Sequence, residues 1–183
     1  MIKRKVFISY HHDDQLEVNE FINRFAYRES IFIPKMLGRD GFQNDIINST
    51  NPEYVMGQIR QRYLEDSTVT IVLIGSCTHS RRYVDWELKA SLRQGSYVPN
   101  GVMGIILPSQ GSSAYLPPRL EANWKKEHQN CYARYWIYPS SGYELSNWIE
   151  DAFQARTARA HLILNSQDMM KYNAICKVHG ATH

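Results

Sequence analysis

The stretch TVTIVLIG, residues 68–75, decides the fold class of this chain. No charged residue interrupts it, most of its residues are β-branched, and a glycine ends it. A strand inside a parallel sheet is covered by helices on both faces, so its sequence is nearly continuously apolar and does not alternate. The stretch therefore predicts a strand in the middle of a parallel sheet.

Shorter runs of the same kind lie on either side of this stretch. KVFISY at 5–10 and SIFIP at 30–34 precede it, and GVMGIILP at 101–108 and ARYWIYP at 133–139 follow it, the last as an edge strand. Helix-like patterns separate these runs. Strands that alternate with helices form a parallel sheet through right-handed crossovers, so we predict an α/β fold with helices on both faces.

Sequence signals also mark where several of the helices begin. Asn51 and Pro52 stand at the cap and first turn of residues 51–66. Ser141 and Glu144 have the spacing of a capping box. A further helix is predicted from about Ser80 to Gly95. Ligands of such folds bind beyond the carboxyl ends of the strands, which directs attention to residues 10–14, 34–44, 75–82 and those from 108 onward.

Composition and charge exclude several classes of protein. The chain has 183 residues, 43% hydrophobic and 21% charged, which suits one folded domain. Its net charge of +3 is spread along the sequence, and no basic run predicts a nucleic-acid partner. The apolar run VFI near the start is too short for a signal peptide, and no stretch is long enough to span a membrane. We predict a cytoplasmic protein with no membrane partner.

The three cysteines, Cys77, Cys131 and Cys176, are far apart in the sequence. Their odd number and wide spacing argue against a disulfide framework, and no CxxC pair predicts a zinc site. We therefore expect reduced thiols in a cytoplasmic protein.

Motifs for common nucleotide enzymes and hydrolases are absent from the sequence. The first strand is followed by SYHHDD, with no GxGxxG, and neither GxxxxGK[ST] nor GxSxG occurs. His11 and His12 lack the spacing and the carboxylate partner of a metal site, so we expect them to be surface or hydrogen-bonding histidines. Cys77 and His79 are two residues apart and are not expected to act as a nucleophile pair.

Glu87, in SRRYVDWEL at 80–88, admits two interpretations. On a helical wheel it lies about 60° from Val84, at the border of the inward face, one turn after Tyr83, whereas Asp85 should face water. It is either a solvated glutamate paired with a cation, or a partly desolvated carboxylate with a raised pKa. The inward face itself is predicted to consist of Val84, Leu88, Ser91 and Leu92.

Two of these segments resemble a TIR domain. KVFISYHHDD is similar to the family's first strand and loop. TVTIVLIGS followed by SRRYVDWEL is similar to its third strand and next helix, with the pattern S-x-W-[VC]-x-x-E-[LI], where Tyr83 stands at the Trp position. The chain is most similar to the TIR-like proteins of bacterial Thoeris anti-phage systems, which LPPRLEAN and PSSGYELSNWIEDAFQAR also resemble. We therefore predict a TIR-like domain at 1–156 and a C-terminal extension at 157–183 that packs on it or trails from it.

The resemblance implies a flavodoxin-like fold, with a central five-stranded parallel sheet flanked by helices on both faces. It also implies cleavage of the nicotinamide–ribose bond of NAD⁺ by Glu87, with no permanently bound cofactor and no metal. The product would be a cyclic or conjugated ADP-ribose that activates a separate effector, and self-association or a phage-derived trigger would control the enzyme. The residues implied to contact the substrate are Ser9, Tyr10, His11, Arg39, Asp40, Ser76, Arg82 and Tyr83.

A single carboxylate is chemically adequate for this reaction. O-glycosidases use two carboxyl groups, one of them to protonate the leaving group. Nicotinamide departs as a neutral molecule and needs no proton, so the remaining task is to stabilise the cationic ribosyl group. A closed cleft would favour cyclisation or conjugation over hydrolysis. The alternative is a non-catalytic TIR domain that acts by assembly; a receiver or flavin protein of similar fold lacks its expected motifs.

Overall fold

The computed structural model describes residues 2–36 and 49–182 of the chain. Its five strands form one parallel sheet in the order β2-β1-β3-β4-β5, which is the flavodoxin-like order. The predicted α/β class and flavodoxin-like fold are therefore confirmed. The strands are β1 (Lys5–Ser9), β2 (Ile33–Lys35), β3 (Val69–Ile74), β4 (Gly101–Ile106) and β5 (Arg134–Trp136).

Strand β3 occupies the middle of the sheet, as its sequence predicts. All six of its residues are buried. It pairs with β1 through Val6 and with β4 through Gly101, both opposite Val69. A strand with neighbours on both edges and helices on both faces has no position that meets water, which is the physical reason for its continuous apolar sequence.

Strand β2 begins three residues later than its sequence predicts. Ser30 has a φ of 59°, a left-handed conformation that a strand residue does not adopt. The amide of Ile31 donates to the carbonyl of Phe25, so the chain is still turning out of the preceding helix there. Pairing with β1 therefore starts only at Ile33, opposite Lys5.

The helices lie on both faces of the sheet. On one face, α1 (Gln15–Ile22), which continues as a π-helical segment (Asn23–Arg28), and α5 (Gly142–Ala158) cover Val6, Ile8 and alternate residues of β3 and β4. On the other face lie α2 (Pro52–Ile59), with its π-helical continuation (Arg60–Leu64), α3 (Arg82–Ser91) and α4 (Pro118–Ala122).

Both predicted helix caps form, one of them with altered partners. The side chain of Asn51 accepts hydrogen bonds from the amides of Glu53 and Tyr54 at the start of α2. The hydroxyl of Ser141 accepts from the amide of Glu144 at 3.3 Å, whereas the Glu144 carboxylate accepts from Ser140 in place of the cap residue. Each cap satisfies backbone donors that a helix start leaves unpaired.

Residues 163–182 run along the outer side of α3, from its last turn back to its first. The side-chain amide of Asn165 donates to the carbonyl of Lys89, Trp86 donates to the carbonyl of Met170, and the amide of Arg82 donates to Asn173. The predicted boundary at residue 156 falls inside α5, and the division into domain and extension stays a prediction.

No helix within residues 2–36 and 49–182 is long and apolar enough to cross a membrane. The cytoplasmic location and the absence of a nucleic-acid partner stay predictions.

Candidate active site

Ser9 and Glu87 meet where the carboxyl end of β1 faces α3. Ser9 is the last residue of β1 and lies opposite Val72 of β3. Its hydroxyl donates to Oε2 of Glu87 over 2.5 Å. Both side chains are buried, with 1% of Ser9 and 3% of Glu87 exposed. Among the residues that the structure describes, no cation lies within ion-pair distance of Glu87, so the solvated and ion-paired interpretation does not describe this glutamate.

The alternation of β1 explains why Ser9 points at α3. Phe7 and Ser9 share one face of the sheet, and Phe7 packs in one cluster with Trp86 and Ala90 of α3. One turn beyond Glu87, Ser91 shares a second buried hydrogen bond of 2.8 Å with Thr70 of β3. Two polar pairs therefore occur within an otherwise apolar helix–sheet contact.

Burial controls the protonation of Glu87. Desolvation raises the pKa of its carboxyl to about 8, and the hydrogen bond from Ser9 acts in the opposite direction. At pH 7 the folded protein therefore holds Glu87 mostly as the neutral acid. Burial also raises the pKa of Tyr10, whose phenol donates to the side-chain oxygen of Gln15 at 2.7 Å, and the charge of Glu87 adds to that increase.

The histidines after β1 are not both surface residues. His11 is buried, with Nδ1 3.6 Å from a carboxylate oxygen of Asp13, and the exposed His12 has Nε2 3.0 Å from the other oxygen. The two imidazoles lie 4.4 Å apart between ring centres. The carboxylate partner that a metal site needs thus comes from Asp13, and these three side chains are one group with ligand atoms close enough to hold a cation.

Sequence reasoning missed Asp14, which lies at the carboxyl end of β3. Its carboxylate packs directly against Gly75, where a Cβ would collide with it. Thr78 accepts from the amide of Gly75 at 2.8 Å and contacts Asp14 at 3.4 Å. Burial, and then the charge of Glu17, raises the pKa of Asp14 to about 6. An aspartate just before a helix is typical of an N-cap, so its sequence position gives no signal of these contacts, although its carboxylate accepts no capping hydrogen bond.

The remaining predicted contacts lie in different surroundings. Arg82 donates to the carbonyl of Lys171 and to the hydroxyl of Tyr83, and its guanidinium lies over the Trp86 ring. It therefore faces the C-terminal residues. Ser76 is half-buried beside Cys176, whose sulfur contacts its carbonyl. The roles assigned to Ser9, Tyr10, His11, Ser76, Arg82 and Tyr83 stay predictions, and Arg39 and Asp40 lie outside the described residues.

Arg81, just before the start of α3, is a buried arginine. Only 6% of it is exposed. Burial lowers the pKa of its guanidinium, and the charges of Asp13 and Asp14 act in the opposite direction. The residue that precedes α3 thus brings a buried cation towards the acids that follow β1.

The prediction that Asp85 faces water is wrong. Its carboxylate is 4% exposed and forms an ion pair of 2.9 Å with Arg119, which is itself buried. It also accepts from the amide of Met170 at 2.9 Å. The outer side of α3 is covered by α4 and the C-terminal residues, whereas the helical wheel treats that side as solvent.

The prediction against a disulfide is also wrong. Cys77 and Cys176 are joined, with their Cα atoms 5.4 Å apart and a sequence separation of 99. Cys131 is buried and free. Spacing along the sequence misled the prediction because the C-terminal residues return across the loop after β3. Nδ1 of His179 lies 3.2 Å from the sulfur of Cys77.

The fold and the site together are a flavodoxin-like sheet and a buried glutamate on the helix after its third strand, which faces the serine that ends the first strand. The family model described as "Thoeris protein ThsB, TIR-like domain" matches residues 7–112, more than half of the chain, and the chain belongs to this family. The predicted resemblance is confirmed: this is a TIR-like domain of an anti-phage defence system.

Comparison with individual proteins adds little. No curated protein matches the chain. Among solved structures, a ribose 5-phosphate isomerase RpiB from Thermotoga maritima is similar at 15% identity, over 86% of this chain and 92% of that chain, with a TM-score of 0.34.

Proposed function

We propose that this chain cleaves the nicotinamide–ribose bond of NAD⁺, with Glu87 as the catalytic carboxylate. The product would be a cyclic or conjugated ADP-ribose that diffuses to a separate effector. The observation that carries the proposal is the state of Glu87: a buried carboxyl, with Ser9 as its hydrogen-bond partner and no ion pair among the described residues. A glutamate that served only the fold would ordinarily be exposed or paired with a cation, since an unpaired buried carboxyl must either carry a costly charge or stay protonated with a raised pKa.

The chemistry follows from this environment. When nicotinamide leaves, positive charge develops on the ribose, and a nearby carboxylate stabilises it most strongly where water is excluded. The Ser9 hydroxyl donates to one oxygen of the Glu87 carboxyl. In this proposal the other oxygen faces the sugar. The substrate also carries a cationic pyridinium ring, whose charge lowers the pKa of a neighbouring carboxyl. Binding of NAD⁺ would thus favour loss of the Glu87 proton before the bond breaks.

A matched pair of variants tests the proposal. Glu87→Gln keeps the size and hydrogen bonding of the protonated side chain but cannot become an anion. We expect NAD⁺ consumption to fall at least about a hundredfold. Glu20→Gln, which neutralises an exposed glutamate on α1, should leave the rate unchanged. Loss of NAD⁺ and release of nicotinamide are measured by mass spectrometry, with purified proteins and with extracts of expressing cells before and after phage challenge.

Two results would overturn this assignment. Equal rates for wild type and Glu87→Gln would remove Glu87 from the chemistry. No NAD⁺ loss and no new ADP-ribose compound in phage-challenged cells that express wild type would leave the assembly function as the better explanation.

A further inference from the structure

The last part of the described chain, residues 171–182, has almost no hydrophobic anchorage. We call it the terminal segment. Cys176 is its one fully buried residue, whereas Tyr172 is 79% and Ile175 63% exposed. Burial of apolar side chains is the main force that holds a segment on a domain, and the terminal segment lacks it.

A few hydrogen bonds connect the terminal segment to the loop between β3 and α3, residues 75–81. The amide of Ala174 donates to the carbonyl of Ser80 at 2.8 Å, and the amide of Lys177 donates to Nε2 of His79 at 3.0 Å. Hydrogen bonds that exchange with water contribute little net stability each. The covalent bond between Cys77 and Cys176 is therefore the strongest connection.

Residues 163–170, just before it, are held differently. The buried guanidinium of Arg119 donates to the carbonyls of Gln167 and Asp168, and Asp85 accepts from the amide of Met170. These contacts involve a buried ion pair and do not depend on the disulfide. Loss of the disulfide should therefore free the terminal segment and leave residues 163–170 in place.

From this contrast we infer that Cys77 and Cys176 form a reversible thiol–disulfide site that fastens the terminal segment over the β3–α3 loop. A dithiol reductant opens it by exchange: one of its thiolates attacks a sulfur of the bond and forms a mixed disulfide, and its second thiol then displaces the protein sulfur. Two electrons and two protons pass to Cys77 and Cys176, and the reductant becomes a cyclic disulfide. In a reducing compartment the opened form is the resting state.

A metal site is the competing use of the same side chains. Cys77, Cys176 and His179 have ligand atoms within 4.8 Å of one another, and two thiolates with an imidazole suit zinc. Zinc would need two separate thiolates, whereas here the sulfurs are bonded to each other. Zinc binding is therefore an outcome that the experiment must distinguish.

The first measurement counts thiols in Cys131→Ala protein purified without reductant, which leaves only the pair. After denaturation, iodoacetamide should add no group, and it should add two after treatment with dithiothreitol. Should Cys131→Ala fail to fold, the wild type takes its place. Iodoacetamide should then add one group to the denatured protein without dithiothreitol and three groups after treatment with it. Two reactive thiols without dithiothreitol in the variant, or one equivalent of bound Zn²⁺, would overturn the inference.

The second measurement follows hydrogen exchange of the oxidised and reduced protein by mass spectrometry. Peptides that cover residues 172–179 should exchange at least about tenfold faster after reduction, whereas those of residues 164–171 should change less than about twofold. Cys176→Ser should match the reduced protein with or without dithiothreitol. Equal exchange of residues 172–179 in both redox states would contradict the inference.

Discussion

At the scale of the residue, the unusual property of Glu87 is that folding removes it from water without giving it a cation. Among the described residues, only Ser9 donates a hydrogen bond to its carboxyl. This hydrogen bond lowers the pKa, but burial raises it by more. Asp14 at the end of β3 shows the same behaviour more weakly. Two acids with raised pKa values at neighbouring strand ends are typical of a functional site, because folding alone gains nothing from them.

The protonation of Glu87 predicts how stability depends on pH. The pKa of its carboxyl rises from 4.5 to about 8 on folding, so between these values the folded state holds a proton that the unfolded state has lost. The free energy of unfolding of the wild type should therefore fall as pH rises through this window, by up to about 1.4 kcal/mol per pH unit from this group. Glu87→Gln does not ionise and should lack this decrease.

Urea denaturation at pH 5, 6.5 and 8 measures the effect. The stability of Glu87→Gln relative to wild type should increase steadily with pH, whereas Glu20→Gln should stay parallel to wild type. Parallel curves for Glu87→Gln and wild type would mean that Glu87 ionises freely in the folded protein.

At the scale of the element, α3 is unusual because it is covered on two sides. Its inner side packs on β1 and β3, with Val84, Leu88 and Leu92 buried as predicted. Its outer side carries Asp85, which Arg119 of α4 neutralises. A helix held on both sides keeps its side chains in fixed positions, which a catalytic carboxylate would require.

Removal of one partner of the Asp85–Arg119 ion pair should lower the stability of the protein strongly. Arg119→Met leaves the Asp85 carboxylate buried without its cation, and we expect the free energy of unfolding to fall by about 3–5 kcal/mol. Asp85→Leu with Arg119→Met removes both charges and should cost less than the sum of the two single changes. Chemical denaturation of the three variants gives the coupling, and additive costs would contradict a direct pair.

At the scale of the whole molecule, residues 163–182 complete the surface of the domain around α3. Their contacts use mainly backbone groups: the carbonyls of Gln167, Asp168 and Met170 accept, and the amides of Met170 and Ala174 donate. Backbone groups are the same in every residue. This is why the sequence after residue 164 carries no recognisable pattern although its backbone is hydrogen-bonded to the domain.

Two deletions should separate the halves of this region. Removal of residues 171–183 should leave a protein whose stability matches that of the reduced full chain within about 1 kcal/mol, since it removes little buried surface. Removal of residues 165–183 should lower the free energy of unfolding by about 2–4 kcal/mol more than the shorter deletion does, because the buried Arg119 and Asp85 lose hydrogen-bond partners. Thermal and urea unfolding of both truncated chains make the comparison, and equal stability of the two would be inconsistent with this division.

The sequence by itself determined the features that depend on neighbours within one strand or one helical turn. These are the buried β3, the caps at Asn51 and Ser141, the inward face of α3 and the position of Glu87 at the border of that face. Each follows from side-chain periodicity or from backbone donors a few residues away. The TIR-like pattern is local in the same sense, which is why it could be recognised.

Only the tertiary structure decided how deeply these residues are buried and what they contact. The burial of Asp85 depends on Arg119, 34 residues away, the disulfide joins residues 99 apart, and Asp14 meets Gly75 across the sheet. Desolvation and electrostatic interaction depend on distance in space, and residues distant in sequence supply most of both. The same reason applies to Glu87. Its position on the helix could be predicted from the sequence, whereas the protonation of its carboxyl depends on Ser9 and on the packing that buries both side chains.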